Sequence, residues 1–259
     1  MVDNYAIRGC CPHGLLTDIN LHTECRFMPL SQRFTTLFNT NVQPLAQQCF
    51  EDMVNHYQEA HRHYHTLDHV IACLDQLDAL IDRSSDDDSS HYRKHDREMA
   101  LALWFHDVIY DPRRQDNEAQ SADVAVTWLQ RLNEPDATLK AVKTYILSTA
   151  HTTQHAIDTN ALDTTAIDTQ ATHALLDIDL SILGAPPTQF QQYENAIRQE
   201  YHFVPDTQYQ RGRLAVLEHF HAQPTLFRTP AYRTLYEQQA QSNLTFAIQN
   251  LRRKRDRSL

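Results

Sequence analysis

The sequence predicts an all-α protein, a single bundle of many helices. Three observations predict it. Only four of the 259 residues are glycine, at positions 9, 14, 184 and 212, where average usage of roughly 7% would give about 18. Hairpins and tight βα turns draw on glycine for left-handed backbone, so sandwiches, barrels and doubly wound sheets are disfavoured. From residue 31 onward the apolar residues recur at helical spacing, and no stretch alternates as a strand does. Pro135, Pro186, Pro205 and Pro230 stand at the borders of the periodic segments, where a helix tolerates proline.

The elements follow in order. Residues 1–29 show no helical period and read as an N-terminal extension expected to be poorly ordered. Residues 30–259 form the helical domain, and no linker divides it. Leu67, Val70, Ile71, Leu74, Leu77 and Ile81 make one helical face, with Thr66 as its N-cap. The stretch RSSDDDSS (83–90) has loop composition and is expected to end that helix. A second helix runs through Arg97–Phe105. Asn117 can cap a third, carrying Ala122, Ala125, Trp128 and Leu132, and Pro135 opens a fourth ending near Thr149. The Thr/Asp-rich segment 151–170 reads as a long loop, and helices follow at about 171–183, 187–202, 207–222 and 230–252.

Composition then narrows function. The formal charge of −10 disfavours a general role in coating nucleic acid polymers. The basic run Arg252–Arg255 suits the negative end of a helix dipole better than a phosphate backbone. The longest apolar run, Met99–Phe105, is too short to span a membrane, and no secretory signal is read at the start. The five cysteines (10, 11, 25, 49 and 73) include no C-x-x-C pair and do not make a disulfide framework. The cluster Cys10, Cys11, His13, His22 and Cys25 fits no common zinc pattern. A reduced, cytoplasmic protein is the expectation. The four glycines also cannot write a dinucleotide fingerprint, a Walker loop or a nucleophile elbow.

The chemistry sits in histidines and acids. There are sixteen histidines, five of them at 56, 61, 63, 65 and 69. The strongest signal is W-F-H-D-V-I-Y-D (104–111), where His106 and Asp107 close a strongly apolar segment. Buried polar groups of this kind must pair with each other or share an ion. Upstream, His65 and His69 are four residues apart around a helix start. Downstream, Asp177 and Asp179 lie inside the apolar run L-L-D-I-D-L-S-I-L-G (175–184). One metal site in a helical bundle accounts for all three segments.

This ordered set resembles the HD superfamily of metal-dependent phosphohydrolases. The blocks R-x-Y-H-T-L-x-H (62–69), F-H-D-V-I-Y-D (105–111), N-E-x-x-S-A (117–122) and L-D-I-D-L-S-I-L-G (176–184) look like its bacterial subgroup of predicted metal-dependent HD phosphohydrolases. I-R-x-E-Y (197–201), G-R (212–213) and E-x-x-A-x-x-N-L (237–244) fit as well, so the resemblance covers roughly residues 31–250. It implies an HD-type domain in which His69, His106, Asp107 and Asp179 hold one divalent ion (Mn, Fe, Co, Ni, Zn or Mg). His69 is preferred to His65 because Val70 follows it, and Asp179 to Asp177 because the second acid of such a pair usually ligates. His65 and His151 are candidates for a second metal, and His155 reads as a loop residue.

What the resemblance implies chemically is hydrolysis of a phosphate ester of a small, nucleotide-like metabolite by metal-activated water. Asp111 and Glu118 are candidate catalytic carboxylates. Arg62, Lys143 and Arg213, with Arg198 behind them, are candidate phosphate-binding cations. His61 is a candidate proton donor, and Trp104 and Tyr110 read as core or as a stacking pocket. Two other functions fit the same blocks. One is a non-hydrolytic nucleotide- or metal-sensing HD protein, which has no need of a full ligand set. The other is a di-iron oxygenase of the HD type, which needs His65 and His151 as ligands. The expected partner is a small phosphorylated substrate, with neither a nucleic acid polymer nor a membrane; a homodimer is compatible.

Overall fold

The computed structural model describes residues 28–83, 86–150 and 168–256 of the chain. Every regular element among them is helical. In order they are α1 (Leu30–Thr35), a 3-10 turn (Thr40–Val42), α2 (Gln43–Tyr57), α3 (Leu67–Arg83), α4 (Asp86–Phe105), α5 (Asn117–Arg131) and α6 (Asp136–Ser148). Then come α7 (Thr169–Asp179) with a 3-10 extension (Leu180–Gly184), α8 (Pro187–Glu200), α9 (Asp206–His221) and α10 (Pro230–Tyr232). A π turn (Arg233–Glu237) leads into α11 (Gln238–Asp256).

The predicted faces are the buried ones. On α3, Leu67, Val70, Leu74, Leu77 and Ile81 point inward. The end of α4 is buried on every side, from Leu101 to Phe105, as an all-apolar helix requires. Trp104 is core: its ring packs edge-on against Phe34 and Phe50. Helices α3, α4 and α7 pack on one another, with α5 and α6 on one flank and α8, α9 and α11 on another. The three central helices are those that bear the paired histidines and acids.

Some boundaries move. Residues 86–90, expected in a loop, belong to α4. Serine and aspartate open turns, but they are also the residue types that suit a helix's first turn, where the macrodipole favours acids. The cap of α5 is Asp116, one residue before Asn117. Asn117 instead brackets the preceding loop: its Oδ1 accepts from the Asp111 N–H (3.0 Å) and its Nδ2 donates to the Asp111 carbonyl (3.0 Å). Asp168 caps α7, accepting from the Ala171 N–H at 2.9 Å. The segment expected as one helix from 230 is interrupted by the π turn, a device that often marks a functional position. Gly184 permits that turn to approach, because a Cβ there would stand 2.5 Å from the Tyr236 Cβ and 2.8 Å from its carbonyl oxygen. The expectations for the extension up to residue 27, including its cysteine–histidine cluster, and for His151 and His155 lie outside the described residues.

Candidate metal centre

Four side chains from three helix ends converge. His69 comes from the first turn of α3, His106 and Asp107 from the turn that follows α4, and Asp179 from the last residue of α7. His69 Nε2 lies 3.2 Å from His106 Nε2, 3.6 Å from Asp107 Oδ2 and 3.2 Å from Asp179 Oδ1. His106 Nε2 lies 2.9 Å from Asp107 Oδ2 and 3.6 Å from Asp179 Oδ1. An ion bound at about 2.0–2.2 Å holds neighbouring donors about 3.3–3.6 Å apart in a tetrahedron and about 2.8–3.1 Å apart at right angles. These separations, each measured from a histidine, span those two cases, so both imidazoles can share one small divalent ion with either carboxylate. Two imidazoles with two carboxylates suit manganese, iron, cobalt, nickel or zinc, and magnesium less well.

Main chain fixes the donors. His106 Nδ1 donates to the Leu103 carbonyl (2.9 Å), which leaves the Nε2 lone pair for the centre. In the ion-free chain, burial opposes a charge on His106, but Asp107 and Asp179 outweigh it and hold its pKa well above the usual imidazole range. Burial likewise opposes the Asp107 charge, and His106, His65 and His69 overcome it and keep the carboxylate ionised.

The turn bearing His106 and Asp107 is clamped by residues read earlier as chemistry. Arg62 is buried and does not reach out toward a phosphate. Its Nη1 donates to the carbonyls of His65 (3.0 Å) and Asp107 (2.6 Å), its Nη2 to that of Val108 (2.9 Å), and its Nε to Glu59 (3.0 Å). These carbonyls lie in the turns before α3 and after α4, outside any helix ladder, and the guanidinium fork meets them together. Ser121 Oγ accepts from the Ile109 N–H (3.0 Å) and donates to the Ile109 carbonyl (3.2 Å). With Asn117, it explains the N-E-x-x-S-A block as a brace on this turn.

The other candidates are placed elsewhere. Lys143 is exposed and paired with Asp123 (2.9 Å). Arg213 is buried against Glu194 and donates to the Tyr193 hydroxyl (2.9 Å). Arg198 binds the Tyr201 carbonyl and Asp206. Asp111 Oδ1 accepts from the Arg113 N–H (2.9 Å), as a turn residue does. Glu118 sits in the first turn of α5 and acts electrostatically on Tyr201. His61 Nε2 meets the Tyr110 carbonyl at 2.7 Å.

His65 is beside the centre rather than in the ligand set. Its Nδ1 is hydrogen-bonded to Glu200 Oε2 (2.8 Å), and its ring stacks on Tyr110 at 4.0 Å. Burial works against its charge, but the bond to Glu200 and the nearby acids raise its pKa.

Glu200 is the residue sequence reasoning underrated. It is fully buried, and its Oε1 accepts the consecutive N–H groups of His63 (2.8 Å), Tyr64 (2.7 Å) and His65 (2.9 Å). Its Oε2 accepts from His65 and from the Tyr110 hydroxyl (2.8 Å). Burial opposes the charge; the His65 bond and these donors prevail and lower the pKa to about 2. The block I-R-x-E-Y carried it, yet no local pattern tells a buried organiser from a surface acid. Cys73, one helical turn after His69, was missed too. Its Sγ lies 3.7 Å from His69 Nδ1, and with His69 and Asp179 it forms a second set of atoms within ligating reach.

Asp177 faces away from the centre. Its carboxylate accepts from the Arg228 N–H (2.8 Å), the Thr229 N–H (2.7 Å) and the Thr229 hydroxyl (2.7 Å), so it ties α7 to the start of α10. Asp177→Ala leaves three donors unpaired, two of them buried, and is expected to cost about 3 kcal/mol in urea unfolding. Metal stoichiometry stays unchanged, whereas metal loss in this variant would mean that Asp177 ligates.

Comparison of the chain with protein-family models, with curated proteins and with solved structures gives no match, so the reading of this centre rests on its own geometry and on the sequence blocks.

Proposed function

We propose that the protein is a divalent-metal-dependent phosphohydrolase that cleaves a phosphate ester of a small metabolite. The observation that carries this reading is the convergence of four side chains, in which the Nε2 atoms of His69 and His106 lie 3.2 Å apart and each lies within 2.9–3.6 Å of a carboxylate oxygen of Asp107 and of Asp179. The ordered sequence blocks supply the choice of phosphate ester over other hydrolysable bonds.

His69, His106, Asp107 and Asp179 would hold the divalent ion, which when bound would supply a water of lowered pKa and offset charge on phosphoryl oxygens. The chain contributes the rest. Arg62, Asn117 and Ser121 hold the His106–Asp107 turn in place. Asp107 and Asp179 keep about one-seventh of their side-chain surface exposed, so the centre is open to a reactant while His69 and His106 are buried. Glu200 orients His65 through Nδ1, and the imidazole is the group beside the ligands that can hold a proton for a leaving oxygen.

A phosphatase screen over sugar phosphates and nucleotides, with each metal added to stripped protein, tests the reading. Hydrolysis restored by manganese, iron, cobalt, nickel or zinc is the expected result. Bound metal with no ester cleaved would favour the sensing alternative. The di-iron reading needs His65 as a ligand through Nε2, since Glu200 holds Nδ1, and two irons bound per chain would favour it.

A further inference from the structure

Beside the centre lies a cavity of about 450 Å³, within the range of small-molecule sites. His69 and Asp179 form its inner end. Its walls carry the rings of Tyr64, Tyr193 and Tyr236, and Gln189 and Gln192 stand at its rim. Among the described residues, no lysine or arginine lines it, while Asp68 does.

The neighbouring cation is already committed. Arg213 donates to the Tyr193 hydroxyl but is paired with Glu194 behind it. The Tyr236 hydroxyl exchanges hydrogen bonds with the Gln76 amide (2.9 and 3.1 Å), which holds that ring at the wall. Gln189 and Gln192 are three residues apart on α8, so both amides face the same way, each with a donor and an acceptor. A dipositive ion held by two carboxylates and two neutral imidazoles has no net charge. Polyphosphates need further cations to neutralise their additional oxygens, and this cavity offers an acid instead.

Resting on the phosphohydrolase reading, we propose that the cavity takes the uncharged, ring-bearing, hydrogen-bonding part of a phosphomonoester, and that the site discriminates against polyphosphates. Tyrosine faces and glutamine amides recognise such a group; the phosphoryl group is left to the centre.

Two measurements on the manganese-loaded full chain test this. In the first, kcat/KM is compared for uridine 5′-monophosphate and ribose 5-phosphate against uridine 5′-triphosphate and pyrophosphate. The better monoester is expected to lead by about tenfold or more, the effect of a missing charge partner. Equal or better turnover of the polyphosphates overturns the inference and leaves the hydrolase standing. In the second, uncharged aromatic amides and pyrophosphate are titrated into 15N-labelled, zinc-loaded protein. The amides are expected to shift the Gln189 and Gln192 side-chain resonances, and pyrophosphate to leave them in place. The reverse pattern overturns the inference whether or not any ester turns over. Amide binding with no ester cleaved removes the hydrolase reading and keeps the cavity's preference.

Discussion

Asp107→Asn is expected to abolish metal binding and to lower ester hydrolysis by about a thousandfold or more, while circular dichroism still reports a helical protein. The asparagine preserves volume but removes the charge that faces His106 Nε2 at 2.9 Å and His69 Nε2 at 3.6 Å. Losing one of the two anionic donors weakens the hold on the ion, and with the ion goes the activated water, the main source of rate in this chemistry. His106→Ala is expected to act alike, with an added loss of stability from the buried space it opens. Thermal shift gives a readout independent of turnover. Metal at about a hundred times its Kd stabilises a competent site by about 2.7 kcal/mol, so added zinc should raise the Tm of the wild type and leave that of Asp107→Asn unmoved. Chelation should reproduce the variant in the wild type. Full turnover by either variant would remove these residues from the mechanism.

Glu200→Gln should be strongly destabilising. The carboxylate collects three successive backbone N–H groups, the His65 ring and the Tyr110 hydroxyl, and it is fully buried. Its folded pKa is about 2 against an ordinary 4.5. A depressed carboxylate contributes stability above its unfolded pKa and loses it as pH falls through the folded one. The shift corresponds to about 3 kcal/mol at neutral pH. That stability is present above about pH 4.5 and fades between pH 4.5 and 2. Urea unfolding at pH 7 should therefore separate the variant from the wild type by up to this amount, and the gap should close toward pH 2. Because the loop that Glu200 gathers leads directly into α3 and His69, metal affinity should fall with it. Equal stability of the two proteins at pH 7 would contradict the role assigned to Glu200.

The all-α class was legible because it depends on local quantities: four glycines, a 3.6-residue apolar period and prolines at the borders. Residues 86–90 were misread as loop for a local reason as well, since serine and aspartate serve turns and first helical turns alike. The candidate segments were legible because imidazoles and carboxylates inside apolar helix ends need a shared partner. The resemblance picked His69, His106, Asp107 and Asp179 from them, and the structure places both imidazoles within 3.6 Å of both carboxylates.

Sequence by itself thus determined that the chain is helical and which three segments bring imidazoles and carboxylates together, since both follow from residue type and spacing. The choice of His69 and Asp179 within those segments came from the family resemblance, and Cys73 escaped it. Tertiary structure alone decided what each charged side chain meets. Arg62 clamps carbonyls 45 and 46 residues away, Glu200 gathers a loop 135 residues before it, and Asp177 and Asp179, two residues apart, serve different partners. A buried charge takes its role from the donors and acceptors packed around it, and those are chosen by how distant helices cross.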